Sequence, residues 1–331
     1  MQLGALIPNK AVRGFLSVAI VVAVWVLSSF IAHRIYTVYG YTNSVAMAAY
    51  SLIIGSILLL PLTWRRVTLA DLPKIWQVST LGMIWFSGQV FYLFSLLYTS
   101  IGTNSAIQAT STAFSFIFSL VILRYAFRLY SAIGVLIVIG GVVLTSLFKA
   151  EVTMGDEFVI HETTLGIILA IVSAVFGGLF GTLFKKWVKV EENSGIVFGL
   201  FSIIAVVVGI PTIVICHYAG LQDFEVPSWK AALWFVGDAL LCSVVGNFFF
   251  AQAYVNLTPV AVQVGLNMTI PISFFISAVI LWTHIYPPGV IVGAVLIFMA
   301  VILVSWDQYR YDLLLKRKVE NVDEVDNKVT L

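Results

Sequence analysis

Charge and cysteine are scarce in this sequence. Asp, Glu, Lys and Arg together make up 10% of its 331 residues, where a soluble domain carries about a quarter. That shortage excludes an ordinary water-soluble globule, and a hydrophobic content of 60% excludes a disordered chain. The two cysteines, Cys216 and Cys242, both stand inside apolar runs, which excludes a disulfide scaffold. A net charge of +2 carries little information, since strong nucleic-acid binding needs a clustered basic surface, and no nucleic-acid partner is expected. Polar–apolar alternation in segments of about ten residues, the mark of a membrane β-barrel, is missing too. So are a P-loop, a Gly-rich nucleotide motif and any CxxC or HxxxH spacing. No cofactor, resident metal or ATP-driven pumping is therefore expected.

What the sequence has instead is long apolar runs, with a mean hydropathy of +1.03. Ten of them suffice to cross about 30 Å of hydrocarbon: 12–32, 43–62, 76–99, 104–123, 129–148, 165–183, 196–218, 231–252, 260–282 and 288–305. They must be helices, because lipid offers no partner to an unpaired backbone amide. The first is too long for a signal-peptide core and is expected to stay in the mature protein. With the N-terminus in the cytoplasm, 15 of the 18 Lys and Arg residues fall on the cytoplasmic side, leaving only Arg34, Lys149 and Lys230 opposite. That asymmetry places both termini in the cytosol. The charged stretch 306–331 reads as a solvated cytoplasmic tail.

The chain also repeats itself. FSFIFSLVIL at 114–123 and ISFFISAVIL at 272–281 agree at six of ten positions with an offset of 158, and 134–144 aligns with 293–303 at an offset of 159. Duplication predicts a single polytopic membrane domain over 1–331, with a first five-helix repeat at 12–148 and a second at 165–305. Five is odd, so the second repeat enters the membrane upside down. Inverted repeats are typical of secondary transporters, with the substrate site near the midplane.

Several runs are familiar. WVLSSF (25–30), YTSIGTNSAIQATSTAFSF (98–116) and IGGVVLTSL (139–147) resemble the drug/metabolite transporter superfamily, and within it the F branch of solute carrier family 35 with its vacuolar fungal relatives. LAIVSAVFGGLFGTLFKK (169–186), HYAGLQDFEVPSW (217–229) and NMTIPIS (267–273) agree with that resemblance. It implies ten helices in a 5+5 inverted repeat, alternating-access transport of small organic solutes, and an endomembrane of vacuolar or Golgi type, a plasma membrane also fitting. The turn Arg124-Tyr125-Ala126-Phe127 departs from relatives that carry an acid there.

Polar groups inside spans must face protein or a water-filled cavity, so they form the candidate site. Asp238 is the one acid well inside a span. It suits a proton carrier or a counter-ion for a cationic solute, and equally an interfacial aspartate hydrated from a vestibule. Asn247, nine residues on, stands about 180° away on a straight α-helix, so only one of the two is expected to face a cavity unless the helix bends. Ser243 shares the face of Asn247. Gln263 and Asn267 lie one turn apart in the ninth span. Pro271 deprives the Asn267 carbonyl of its helical donor and predicts a break there. The fourth span, its repeat partner, presents Gln108, Thr112, Ser115 and Ser119 as a polar stripe. Gln89 and Tyr92 share a face of the third span, and Trp25 and Tyr92 offer stacking surface. All these groups also suit ordinary interhelical hydrogen bonding.

No Lys or Arg lies at mid-depth. The paired cations wanted by a doubly charged nucleotide or phosphorylated sugar are absent from the spans, which tilts the reading toward neutral or cationic organic solutes. The expected protein is a secondary active transporter, not an enzyme, with a small-molecule solute, the lipid bilayer and a coupling proton as partners. An exchanger of nucleotide-sugars or other anions, and a non-transporting receptor on the same bundle, remain the alternatives. Oligomeric state is not legible.

Overall fold

The computed structural model describes residues 9–39, 50, 53–55, 57–58, 72–96, 98–99, 101–153, 164–189, 193–220, 226–280 and 287–329, and all regular structure among them is helical. The helices are α1 (Lys10–Tyr39), α2 (Ile75–Leu96), α3 (Ile101–Ala109), α4 (Ser111–Val121), α5 (Leu129–Thr153), α6 (Thr164–Trp187), α7 (Ser194–Tyr218) and α8 (Trp229–Asp238). A π-helical segment (Ala239–Gly246) leads into α9 (Asn247–Asn256), followed by α10 (Pro259–Leu266), α11 (Thr269–Ile280) and α12 (Pro288–Val329). Nine of the ten predicted spans fall on these helices; the second, 43–62, lies almost wholly outside the described residues. Among the described residues, five stretches are individually long and apolar enough to cross a bilayer: Lys10–Ser28, Leu129–Phe148, Thr164–Trp187, Trp229–Asn256 and Pro288–Tyr311. The chain is a multi-pass integral membrane protein.

Its outer surface is that of a protein solvated by lipid. Val121, Leu136, Val207 and Ile215 stand out from the bundle with well over half their surface exposed. The interior gathers small residues and aromatic rings. α5 and α12 pack so closely that a Cβ on Gly293 would fall 2.5 Å from the Gly141 carbonyl oxygen, which only a glycine pair permits.

Two expectations need correction. The stretch 306–331 does not begin as a solvated tail: α12 continues unbroken past Ser305, and Asp307 and Gln308 are buried. Both tolerate burial because they are paired. Asp307 accepts from the Ser131 hydroxyl and lies 3.5 Å from the Arg128 guanidinium, while Gln308 Oε1 accepts from Thr258 Oγ1 at 2.9 Å. The eighth span is not a straight α-helix either. The π-helical segment lets more residues into each turn, so the nine residues from Asp238 to Asn247 take roughly two full turns. Asp238, Ser243 and Asn247 consequently all fall on the buried side of that span, while Leu240 and Val245 face outward.

Candidate functional site

Two spans are interrupted near their middles. The fourth pauses at Thr110 between α3 and α4, and the ninth at Asn267 and Met268 between α10 and α11. Thr110 and Met268 are 158 residues apart, the offset of the sequence repeat. Each pause is a tighter i→i+3 turn, with Thr110 N–H donating to the Ile107 carbonyl at 2.9 Å and Met268 N–H to that of Gly265 at 3.1 Å. The Asn267 carbonyl, expected to lose its donor to Pro271, accepts from Ile270 N–H at 3.2 Å within the same kind of turn.

Between the interruptions lies a cavity of about 350 Å³. α1 contributes Trp25, α2 contributes Trp85, Gln89 and Tyr92, and α3 with α4 contribute Gln108 and Ser111. Ser173, Phe176 and Phe180 come from α6, Phe250 from α9, and Gln263, Asn267 and Thr269 from α10 and α11. Among the described residues, every lining side chain is uncharged. Aromatic faces and amides share the walls, a composition that binds planar organic groups by stacking and fixes them by a few hydrogen bonds.

The amides are held in place. Gln108 Nε2 donates to Ser173 Oγ at 2.8 Å, and that hydroxyl donates in turn to the Gly88 carbonyl at 2.8 Å, joining three spans in one chain of bonds. Ser111 Oγ reaches Gln263 Oε1 at 3.4 Å, and Asn267 Nδ2 donates to Thr112 Oγ1 at 3.2 Å. On the opposite wall Trp25 and Trp85 each meet Phe250, at 5.4 and 5.6 Å between ring centroids.

Six of the nine candidate residues therefore line one cavity: Trp25, Gln89, Tyr92, Gln108, Gln263 and Asn267. Thr112 is buried directly behind them as the partner of Asn267. Asp238 and Asn247 are buried but stand apart from the lining, and the Asp238 carboxylate accepts from the Ser28 hydroxyl of α1. Sequence reasoning missed Trp85, Ser111, Ser173, Phe180 and Phe250. Trp85 lies one turn before Gln89 and Ser111 one turn after Gln108, so helical spacing from chosen residues would have found both. Ser173 and the two phenylalanines carry no such signal, being ordinary residues of apolar runs.

An apolar helical bundle with an aromatic- and amide-walled cavity at two interrupted spans is a polytopic membrane protein with an internal site of ligand size. Residues 12–147 match the EamA-like transporter family. The relatives bear out the resemblance to the drug/metabolite transporter superfamily and the F branch of solute carrier family 35. An uncharacterized transporter of Schizosaccharomyces pombe is 23% identical over 68% of this chain and 67% of its own length. An uncharacterized vacuolar membrane protein of Saccharomyces cerevisiae is 22% identical over 64% and 56% respectively. Solute carrier family 35 member F5 of Mus musculus is 25% identical over 57% of this chain, an alignment spanning only 36% of that protein. One crystal structure shares the fold, with a TM-score of 0.68 at 16% identity, covering 90% of this chain and 98% of the other.

Proposed function

We propose that the protein is a secondary active transporter that carries a small organic solute across a membrane by alternating access, binding it in the cavity between the two interrupted spans. The observation that carries this reading is the cavity itself: it is of ligand size, uncharged among the described residues, and lined by Trp25, Trp85 and Tyr92 facing the amides of Gln89, Gln108, Gln263 and Asn267. Aromatic faces with amide hydrogen bonding suit a neutral or singly cationic ring compound. The matching interruptions at Thr110 and Met268 support a 5+5 inverted repeat whose halves rock against each other around the site.

The coupling proton belongs to Asp238. Its carboxylate is bonded to Ser28, one turn beyond Trp25 on α1, so a change of charge there bears on the helix that carries part of the cavity wall. Cytosolic termini follow from the charge asymmetry, and a vacuolar relative favours an endomembrane.

A second reading, exchange of anionic metabolites, draws on one observation: α4 and α11 both begin at the cavity, at Ser111 and Thr269, and helix N-termini favour negative charge. Uptake into proteoliposomes, screened in parallel with thermal stabilisation against vitamins, amino acids, polyamines and nucleotide-sugars, separates the two. Accumulation of a neutral or cationic solute is expected. Exchange restricted to nucleotide-sugars would establish the second reading, and stabilisation without any uptake would point to a receptor.

A further inference from the structure

Below the cavity the described helices pack through a layer of rings. Phe180 and Phe250 form the floor, 6.2 Å apart and within 5° of parallel. One turn further, toward the end that carries Lys185 and Arg128, Tyr254 and Phe184 are fully buried with Phe198 beside them. Tyr254 stands edge-on to Phe250 at 4.8 Å and lies 6.0 Å from Phe184. α6 accommodates the tyrosine ring only because residue 181 is glycine: a Cβ there would sit 2.5 Å from Tyr254 Cε1. Among the described residues these rings fill the bundle between the cavity and that end.

Two polar bonds fasten it. Lys185 Nζ donates to the carbonyl of Val255, the residue after Tyr254, at 2.6 Å, tying α6 to α9. Gln263 Nε2 donates to Tyr254 Oη at 2.7 Å. Tyr254 does not line the cavity, but Gln263 does. A single hydrogen bond therefore joins a side chain the solute would touch to the aromatic layer.

We infer that Tyr254 is a positioning residue: it holds the aromatic layer shut at the Lys185 end and, through Gln263, makes that closure respond to what occupies the cavity. A solute that engages the Gln263 amide weakens its bond to Tyr254 and shifts the equilibrium toward the state in which the layer is open. The inference rests on the transporter reading of the cavity.

The test needs no solute. A cysteine replaces Val188, which is 1% exposed just past the end of α6, in the full-length chain carrying Cys216→Ala and Cys242→Ala. The protein is placed in lipid nanodiscs and labelled with a water-soluble maleimide. Slow labelling is expected of this parent. Tyr254→Phe, which keeps the ring and loses the hydroxyl, should raise the rate about tenfold, as expected for one lost buried hydrogen bond. Gln263→Leu should do the same, and the double variant should be no faster than either single one, because both remove one bond. Lys185→Met, remote from the cavity, should also raise it. A rate within about twofold of the parent in well-folded Tyr254→Phe, or single effects that multiply in the double variant, would overturn the inference. Failure of the transporter reading would appear separately, as absent uptake with the labelling pattern intact.

Discussion

Asn267 Nδ2 lies 3.2 Å from Thr112 Oγ1, so the interruption of the ninth span is hydrogen-bonded to that of the fourth, its counterpart in the sequence repeat. Asn267 also donates to the Gln263 carbonyl of its own helix at 2.9 Å. The side chain that stabilises one break thus fixes its position against the other.

That bond predicts a measurable coupling. Thr112→Val and Asn267→Leu should each destabilise the protein, and the double variant should lose less than their sum by about 0.6 kcal/mol, the usual worth of an interhelical hydrogen bond in a membrane. Thermal unfolding of the three variants in one detergent measures it. Strictly additive losses would mean the two spans are held together by other contacts.

At the Lys185 end, Asp307 is buried with Arg128 and Ser131 as partners. Removing one member of such a pair strands the other away from water. Asp307→Leu is therefore expected to cost about 2–3 kcal/mol of stability. Arg128→Leu combined with it should recover much of that loss, because an apolar pair leaves no charge unpaired. A denaturation series on the single and double variants decides. No recovery in the double variant would show that the arginine serves the fold through its stacking over Tyr311, 5.0 Å away, instead.

Much of this architecture was legible in the sequence, and what was not has physical reasons. The apolar runs marked where nine of the spans lie, because lipid permits no other regular structure, but not the breaks within the fourth, eighth and ninth spans or the run of the last helix to Val329. The polar stripe of Gln108, Gln263 and Asn267 led to the cavity because amides are expensive in hydrocarbon. Asp238 and Asn247 could not be placed from helical spacing, since that arithmetic assumes α-helix and the residues between them are π-helical. The burial of Asp307 was equally invisible: a charged residue just past an apolar run looks solvated until its partner Arg128, 179 residues earlier in the chain, is seen beside it.

Arg124 has a positive φ of 54°, in the turn between α4 and α5, and is exposed. A glycine reaches that conformation without the steric conflict an L side chain meets. Arg124→Gly should raise stability by about 0.5–1 kcal/mol, while Arg124→Val, branched at Cβ, should lower it. Melting temperatures of the two variants should move in opposite directions. A loss of stability in Arg124→Gly would mean that the arginine side chain contributes more than its backbone strain costs.

Trp85 meets Phe180 at 4.8 Å and Phe250 at 5.6 Å while facing the cavity. Trp85→Ala should weaken binding of any ring-containing solute identified in the uptake screen by about tenfold or more, and affect a non-aromatic solute far less. Isothermal titration with one compound of each kind makes the comparison. Equal losses for both would assign Trp85 to the shape of the wall and not to stacking.

Asp238 tests the coupling mechanism most directly. Its carboxylate accepts from Ser28, three residues beyond Trp25 of the cavity wall, and it opens the π-helical segment of the eighth span. Asn at this position keeps the shape and an oxygen able to accept from Ser28, but it cannot carry a titratable proton. Asp238→Asn should therefore fold normally and still exchange labelled for unlabelled solute, yet fail to accumulate solute under an imposed pH gradient. If the carboxylate instead pairs with a cationic solute, binding itself should be lost, and thermal stabilisation by that solute should vanish with exchange. Cys242, four residues beyond Asp238 in the same span, is the control: Cys242→Ser should leave both accumulation and exchange intact. Unchanged accumulation with unchanged pH dependence in Asp238→Asn would remove the proton from this site. The solute would then move without help from any carboxyl in the eighth span, and the amides of Gln108, Gln263 and Asn267 would be left to recognise a neutral compound.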